Sequence, residues 1–224
     1  MNYLDGSWAF IFDMDGLMLD TEHSTNQAWQ RAAADFGYDF TDEMIRECVG
    51  YSMVMSEFLQ KKFFGEDYPF QKIRDKKVIY YEESIKQNGI PIKKGLIPLL
   101  DLLESRHIRK AVASSTVQPY VNQRLQITHL FRRFDVIISG SEVAQVKPDP
   151  ALYHEAARKM GVDSKQCLVL EDTPVGVKAA DAAGMPVILV PDLAPLPPEI
   201  CAMAVGVFPS LDEVGLFLIG QELK

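Results

Sequence analysis

The stretch WAFIFDMDG, residues 8–16, decides the fold of this chain. Its five apolar residues are typical of a strand that is buried on both faces of a sheet. Two carboxylates follow, Asp13 and Asp15, and side chains spaced two apart on an extended segment point the same way. Gly16 then permits a sharp turn of the backbone. Because carboxylates this close repel each other, the pair predicts a bound cation, acid–base chemistry or both.

The composition limits the class of protein. The chain has 224 residues, of which 47% are hydrophobic and 24% are charged, so it can form one large domain or a domain with an insert. Its net charge of −8 argues against nucleic acid or an anionic membrane as a partner. The three cysteines follow no ligand pattern and indicate a reducing compartment, and residues 1–20 lack signal-peptide features. We therefore expect a cytoplasmic protein.

Beyond residue 92, short apolar runs alternate with helical patterns. The runs predict strands at residues 110–114, 134–139, 167–170, 186–190 and 205–208. The helical patterns lie at residues 96–105, 118–125, 150–160 and 175–183. For one of these helices, Asp149-Pro150 predicts the N-cap and the first helical residue, and Gly161 the C-terminal cap. Thr173-Pro174 and Gly184 predict the same for the next helix. This alternation predicts an α/β fold with a doubly wound parallel sheet.

Residues 21–91 show only helical patterns. Two apolar stripes at helical spacing support this interpretation: Ala28, Trp29, Ala32, Ala33 and Phe36, and then Val54, Phe58 and Leu59. We expect residues 1–20 and 92–224 to form the α/β core. The all-helical insert, residues 21–91, would then lie over the carboxyl ends of the strands, where α/β sheets bind ligands.

Four polar segments follow the ends of successive predicted strands. They are Asp13-x-Asp15, Ser114-Ser115-Thr116, Lys147-Pro148 and Glu171-Asp172-Thr173. Parallel strands end at one edge of their sheet, so all four segments can face one pocket. Helix N-termini after Thr116 and Thr173 add N–H donors and partial positive charge. Carboxylates, a hydroxyl and an ammonium in such a pocket suit a phosphoryl group.

The same segments resemble the four motifs of the haloacid dehalogenase (HAD) superfamily, in the right order. They read FDMDGLMLDTE at 12–22, a strand that ends in Ser114, VKPDP at 146–150 and VLEDT at 169–173. The stretch DAAGMPVILV at 181–190 also resembles the usual continuation of that family. The resemblance is to the β-phosphoglucomutase-like and phosphatase branch, and it implies a Rossmann-like core with an inserted helical cap.

This resemblance implies roles for the carboxylates. Asp13 would be the nucleophile that forms an aspartyl-phosphate. Asp15 would protonate the leaving group and then activate water. Mg²⁺ would be held by Asp13, the main-chain carbonyl of Asp15, and Asp172. Glu171 would bind the metal through water or orient Asp172.

The remaining predicted site residues would bind the substrate. Ser114 and Lys147 would neutralise the phosphoryl oxygens, with Ser115 beside them. In the insert, the candidate substrate contacts are Gly50, Tyr51 and His23.

We expect a Mg²⁺-dependent phosphatase of small metabolites, such as a sugar phosphate or a nucleoside monophosphate. The superfamily's dehalogenases and phosphonate hydrolases lack an acid at the position of Asp15, so its presence favours phosphate esters. A β-phosphoglucomutase-type mutase is the alternative, although Thr25 and Met53 stand where such mutases carry His and Arg. A third possibility is a non-catalytic phospho-acceptor module. The protein would be a monomer or a weak homo-oligomer.

Overall fold

A computed structural model of the protein describes residues 2–48, 53–192 and 196–222. The chain divides into two compact units, one formed by Met1–Leu19 with Pro91–Lys224 and the other by Asp20–Ile90.

The unit Asp20–Ile90 contains four described helices: α1 (Glu22–Ala34), α2 (Asp42–Cys48), α3 (Met53–Phe64) and α4 (Phe70–Asn88). The stripe predicted on α1 is buried as far as the helix extends, and its Trp29 ring stacks on the Phe70 ring with centroids 5.6 Å apart. Phe36 lies beyond the end of α1 and is 38% exposed.

The apolar stripe predicted on α3 is wrong. Val54 and Phe58 are 81% and 61% exposed, whereas the buried side chains of this helix are Ser56 and Gln60. The Gln60 amide donates to the Ser56 hydroxyl at 3.0 Å and accepts from the Tyr68 hydroxyl at 2.9 Å. Polar side chains can be buried when hydrogen bonds satisfy them, and hydropathy spacing does not detect such a network.

The other unit is built on a six-stranded sheet. Its strands are β1 (Ala9–Phe12), β2 (Lys110–Ala113), β3 (Val136–Ile138), β4 (Cys167–Glu171), β5 (Val187–Leu189) and β6 (Gly206–Val207). They lie in the order β3-β2-β1-β4-β5-β6, and all five pairings are parallel. The predicted doubly wound α/β sheet is thereby confirmed.

The central position of β1 explains its apolar sequence. Ile11 pairs with Ala111 on one side and with Val169 on the other. Phe10, Ile11 and Phe12 are completely buried. The strand order reverses beside β1, and in doubly wound sheets ligands bind at this switch point, outside the carboxyl ends of the strands.

Six helices of this unit are described: α5 (Leu96–Ser105), α6 (Tyr120–Ile127), α7 (Ala151–Met160), α8 (Pro174–Ala182), α9 (Pro198–Cys201) and α10 (Leu211–Glu222). Three single 3₁₀ turns lie at Phe131–Arg133, Gly140–Glu142 and Ser164–Gln166. Helices α9 and α10 were not predicted from the sequence.

Two helix starts test the predicted capping. The α8 prediction is confirmed, because Pro174 is its first residue and the Thr173 hydroxyl accepts from the Gly176 N–H at 3.2 Å. Helix α7 begins one residue later than predicted, at Ala151, whose N–H donates to the Asp149 carboxylate at 2.9 Å.

The strand predicted at residues 134–139 is shorter in the structure, where β3 spans Val136–Ile138. Phe134 is buried outside the ladder because its ring packs edge-on against Phe12, with centroids 5.6 Å apart. The three cysteines, Cys48, Cys167 and Cys201, are free thiols. Across the described ranges, we find no helix whose length and apolarity would let it cross a bilayer.

Candidate active site

The site begins where β1 ends. The Asp13 N–H donates to the Leu170 carbonyl of β4 at 3.0 Å, which fixes this residue at the centre of the sheet edge. The chain then turns back, and the Gly16 N–H donates to the Leu19 carbonyl at 2.9 Å. Gly16 has a φ of +90°, and a Cβ atom there would overlap the Asp172 carboxylate. The turn therefore requires glycine, both for its conformation and for the close approach of Asp172.

Lys147 joins two of the predicted segments. Its ammonium donates to the Asp13 carboxylate and, at 2.6 Å, to the Glu171 carboxylate. The side chains of Lys147, Asp13 and Glu171 are only 3%, 11% and 0% exposed. Tyr153 on α7 completes the group, because its hydroxyl donates to Glu171 at 2.6 Å and its ring centroid lies 4.9 Å from the ammonium. The charges of this group are thus held almost out of contact with water.

Both oxygens of Glu171 are fully used by protein donors. One accepts from Lys147 and Tyr153, and the other accepts from the Asp172 N–H, the Thr173 N–H and the Thr173 hydroxyl at 2.9–3.1 Å. A Cβ atom on Gly176 would overlap the same carboxylate. This arrangement favours Glu171 as the residue that orients Asp172 and Lys147.

The electrostatics of the group follow from its burial. Burial opposes the charge of Lys147, but the Asp13 and Glu171 carboxylates outweigh it and hold the pKa of the ammonium well above its ordinary value. Burial also works against the Glu171 carboxylate, yet the attraction of Lys147 keeps its pKa below the ordinary range. Lys147 and Glu171 are therefore a charged pair at neutral pH.

At the other two carboxyl groups, burial outweighs the attraction of Lys147. Burial raises the pKa of Asp13 to about 7, against the attraction of Lys147. Burial, helped by the charges of Glu171 and Asp13, raises the pKa of Asp172 well above its ordinary value. One ammonium faces three carboxylates, so the site favours an added proton or cation.

The residues present fit a divalent metal ion. The Asp172 Oδ1 atom is buried and has no hydrogen-bond partner in the part of the chain that the structure describes. Asp13, Asp172 and main-chain carbonyls offer the oxygen ligands that Mg²⁺ prefers, with water completing its shell. Among residues 2–48, 53–192 and 196–222, no three His, Cys, Asp or Glu side chains form a metal-binding group by themselves.

Ser114 follows β2 at the same sheet edge. Its N–H donates to the Ile138 carbonyl at 3.0 Å, and its hydroxyl accepts from the Thr116 N–H at 3.1 Å. Ser114 is 2% exposed, whereas Ser115 is exposed. The main chain at Ser115 is closely approached by Gly140, where a Cβ atom would overlap the Ser115 carbonyl.

Asp15 is held by two groups. Its Oδ1 accepts from the Arg124 guanidinium at 2.7 Å, and its Oδ2 accepts from the Thr116 hydroxyl at 2.8 Å. Arg124 was not predicted as a site residue, because it lies 109 residues from Asp15 along the chain and belongs to no motif. A further unpredicted pair, Lys93 and Asp192, is joined at 2.5 Å.

The predicted contacts in the helical unit stay predictions. His23 is exposed on α1, and its Nε2 lies 2.9 Å from the Gln27 amide nitrogen. Gly50 and Tyr51 lie outside the described residues.

Comparisons with known proteins agree on the family. The model of haloacid dehalogenase-like hydrolases matches residues 10–190. A Thermotoga maritima protein named phosphorylated carbohydrates phosphatase is 31% identical over an alignment of 182 residues, and the match covers 79% of this chain and 82% of that protein.

Two crystal structures show the same fold. A Thermotoga maritima protein provisionally named a β-phosphoglucomutase superimposes with a TM-score of 0.79 at 25% identity, covering 95% of this chain and 99% of the other. CbbY from Rhodobacter sphaeroides, in complex with phosphate, superimposes with a TM-score of 0.76 at 27% identity, covering 92% and 96%. With its parallel sheet and its motifs, this chain is an enzyme of the haloacid dehalogenase-like hydrolase family, in the β-phosphoglucomutase-like branch.

Proposed function

We propose that this enzyme is a Mg²⁺-dependent phosphatase that hydrolyses small phosphorylated metabolites through an aspartyl-phosphate intermediate on Asp13. One observation carries the proposal. At the end of the central strand, the Asp13 carboxylate lies against the Lys147 ammonium, with Glu171 held by the same ammonium. A nucleophilic carboxylate beside a buried cation matches what phosphoryl transfer needs, namely positioning and electrostatic stabilisation.

In the first half of the proposed reaction, an Asp13 oxygen attacks phosphorus while the bond from phosphorus to the ester oxygen breaks. Asp15 donates a proton to the departing oxygen, so the alcohol leaves neutral. Lys147 and Ser114 stabilise the charge on the transferring phosphoryl oxygens. Bound Mg²⁺, held by Asp13, Asp172 and the Asp15 main-chain carbonyl, would supply further positive charge.

In the second half, Asp15 accepts a proton from a water molecule as the water oxygen attacks phosphorus. The bond between phosphorus and the Asp13 oxygen breaks, which releases inorganic phosphate and restores the carboxylate. The same residue thus acts as acid and then as base, and the protons balance over one turnover.

The name of the Thermotoga maritima relative supports phosphorylated carbohydrates as the substrate class. Nucleoside monophosphates are the other class we propose to screen. We also propose that the enzyme works in the cytoplasm as a monomer or weak homo-oligomer, because its free thiols suit a reducing compartment.

The test is Asp13→Asn, assayed by phosphate release from p-nitrophenyl phosphate with Mg²⁺. We expect turnover to fall by about 10³-fold or more, since a residue acting in a unit with others cannot be replaced by them. Asp181→Asn, on the exposed side of α8, is the control and should keep full activity. Chelation should abolish activity and added Mg²⁺ should restore it. Undiminished turnover by Asp13→Asn would reject the mechanism.

A phosphosugar mutase is the second candidate, favoured by the provisionally named β-phosphoglucomutase that shares this fold. With β-glucose 1-phosphate and a bisphosphate primer, a mutase would form glucose 6-phosphate faster than inorganic phosphate. We expect the reverse ratio. A phospho-acceptor module, by contrast, would release no more than one phosphate for each protein molecule.

A further inference from the structure

Arg124 lies on α6, away from the four motifs, and yet its guanidinium reaches the Asp15 carboxylate at 2.7 Å. The side chains of Arg124 and Asp15 are 12% and 24% exposed, so this ion pair is largely removed from water. Such pairs are screened much less than the exposed ion pairs of a protein surface.

The position of Arg124 is set by the packing of its helix. Val121 and Leu125, on the same helix, are completely buried. Their burial anchors α6 against the core and leaves the long arginine side chain to reach the end of β1. Arginine suits this task because its planar guanidinium is always charged and directs several donors in fixed directions.

Thr116 provides the second restraint. Its hydroxyl donates to Asp15 Oδ2 at 2.8 Å and also lies 3.4 Å from the Arg124 guanidinium. A carboxylate held by one oxygen can still rotate about its Cβ–Cγ bond. Contacts to both oxygens, one from α6 and one from the loop after β2, fix the plane of the group.

From this geometry we infer that Arg124, together with Thr116, is a positioning residue for Asp15 and keeps its carboxyl group aligned for proton transfer to the leaving group. The inference rests on the proposed function, because it takes Asp15 as the acid. Misplacing a reacting group by about 1 Å can cost about 100-fold in rate.

The dependence of kcat/KM on the leaving group distinguishes a positioning role from a purely structural one, because a purely structural role would not change this dependence. A p-nitrophenolate leaves without much help from an acid, whereas an alkoxide needs a proton. The value of kcat/KM reports the steps up to phosphoryl transfer to Asp13, so it isolates the half-reaction in which Asp15 donates. We would measure it for p-nitrophenyl phosphate, phenyl phosphate and an alkyl phosphate.

For Arg124→Met we expect kcat/KM to fall about 10-fold to 100-fold on the alkyl phosphate and less than about 3-fold on p-nitrophenyl phosphate. Arg124→Lys keeps the charge without the planar fork and should lie in between. The matched control is Arg133→Met, which removes an arginine that is 23% exposed and paired with Asp101 and Glu104. Arg133→Met should leave the ratio of kcat/KM between the alkyl phosphate and p-nitrophenyl phosphate unchanged.

Asp15→Asn separates this inference from the function on which it rests. If Asp15→Asn shows the leaving-group selectivity and Arg124→Met does not, the inference is overturned and the proposed function stands. If neither variant shows it, the acid role of Asp15 fails as well. An equal loss on all substrates, with a lower melting temperature, would make Arg124 merely structural and also overturns the inference. In the double variant, Arg124→Met should add nothing to Asp15→Asn, because both act through one carboxylate.

Discussion

Lys147→Met should destabilise the folded protein strongly, in addition to any loss of activity. Methionine fills a similar volume but carries no charge, so the substitution removes the ammonium that lies between Asp13 and Glu171. The side chains of Lys147 and Glu171 are 3% and 0% exposed, so water cannot take the place of the missing ammonium. Removing one partner of a buried ion pair costs about 3–5 kcal/mol, because the remaining charge stays buried.

The assay is urea unfolding at pH 8, followed by circular dichroism. With a slope of about 2–3 kcal/mol per M urea, the expected loss lowers the midpoint by about 1–2.5 M. The control is Lys110→Met. That lysine is also buried, at 7% exposure, but its partner Glu104 is 39% exposed and 3.3 Å away, so water can stabilise the remaining carboxylate. Its loss should stay near 1 kcal/mol.

The pH dependence has a definite sign. Without the ammonium, the pKa values of Asp13 and Glu171 rise, so the variant gains stability by binding protons as the pH falls. The wild-type gains less, because Lys147 keeps the pKa of Glu171 below its ordinary value. The difference in stability between the two proteins should therefore shrink from pH 8 to pH 5.5. Equal midpoints for wild-type and Lys147→Met at pH 8 would refute the electrostatic argument.

Two further predictions concern the metal ion and the turn after β1. Because burial raises the pKa of Asp13 from 3.8 to about 7, the metal-free protein should lose stability as the pH rises from 3.8 to 7. Mg²⁺ competes with protons for this carboxylate, so it should raise the melting temperature more at pH 7.5 than at pH 5.5. Equal increases in melting temperature at both pH values would contradict this expectation. Gly16→Ala should cost more than the roughly 1–2 kcal/mol of a left-handed alanine and should weaken Mg²⁺ binding measured by calorimetry, because its Cβ atom would overlap Asp172. Gly37 has a φ of +83°, and a Cβ atom there would have no neighbouring atom within 4 Å, so Gly37→Ala should show the backbone cost alone. Equal losses of stability in Gly16→Ala and Gly37→Ala would contradict the steric explanation.

The strands of the sheet could be predicted because burial on both faces leaves a signal in local sequence. The run Phe10–Phe12 is apolar without alternation, which is what a central parallel strand requires. The start of α8 was also predicted, because a cap such as Thr173 acts on an N–H three residues away. The buried face of α3 was predicted wrongly, because Gln60 is buried through its hydrogen bond to Tyr68, and a hydropathy pattern does not reveal a hydrogen-bond partner.

The sequence by itself determined that polar segments meet at one edge of a parallel sheet, because strand ends are local properties, and it predicted that these segments carry the chemistry. Only the tertiary structure decided how the charges are shared. Lys147 compensates both Asp13 and Glu171, and Arg124 reaches Asp15 from a helix 109 residues away. The strength of a charge pair depends on distance and burial, and neither quantity can be read from positions along the chain.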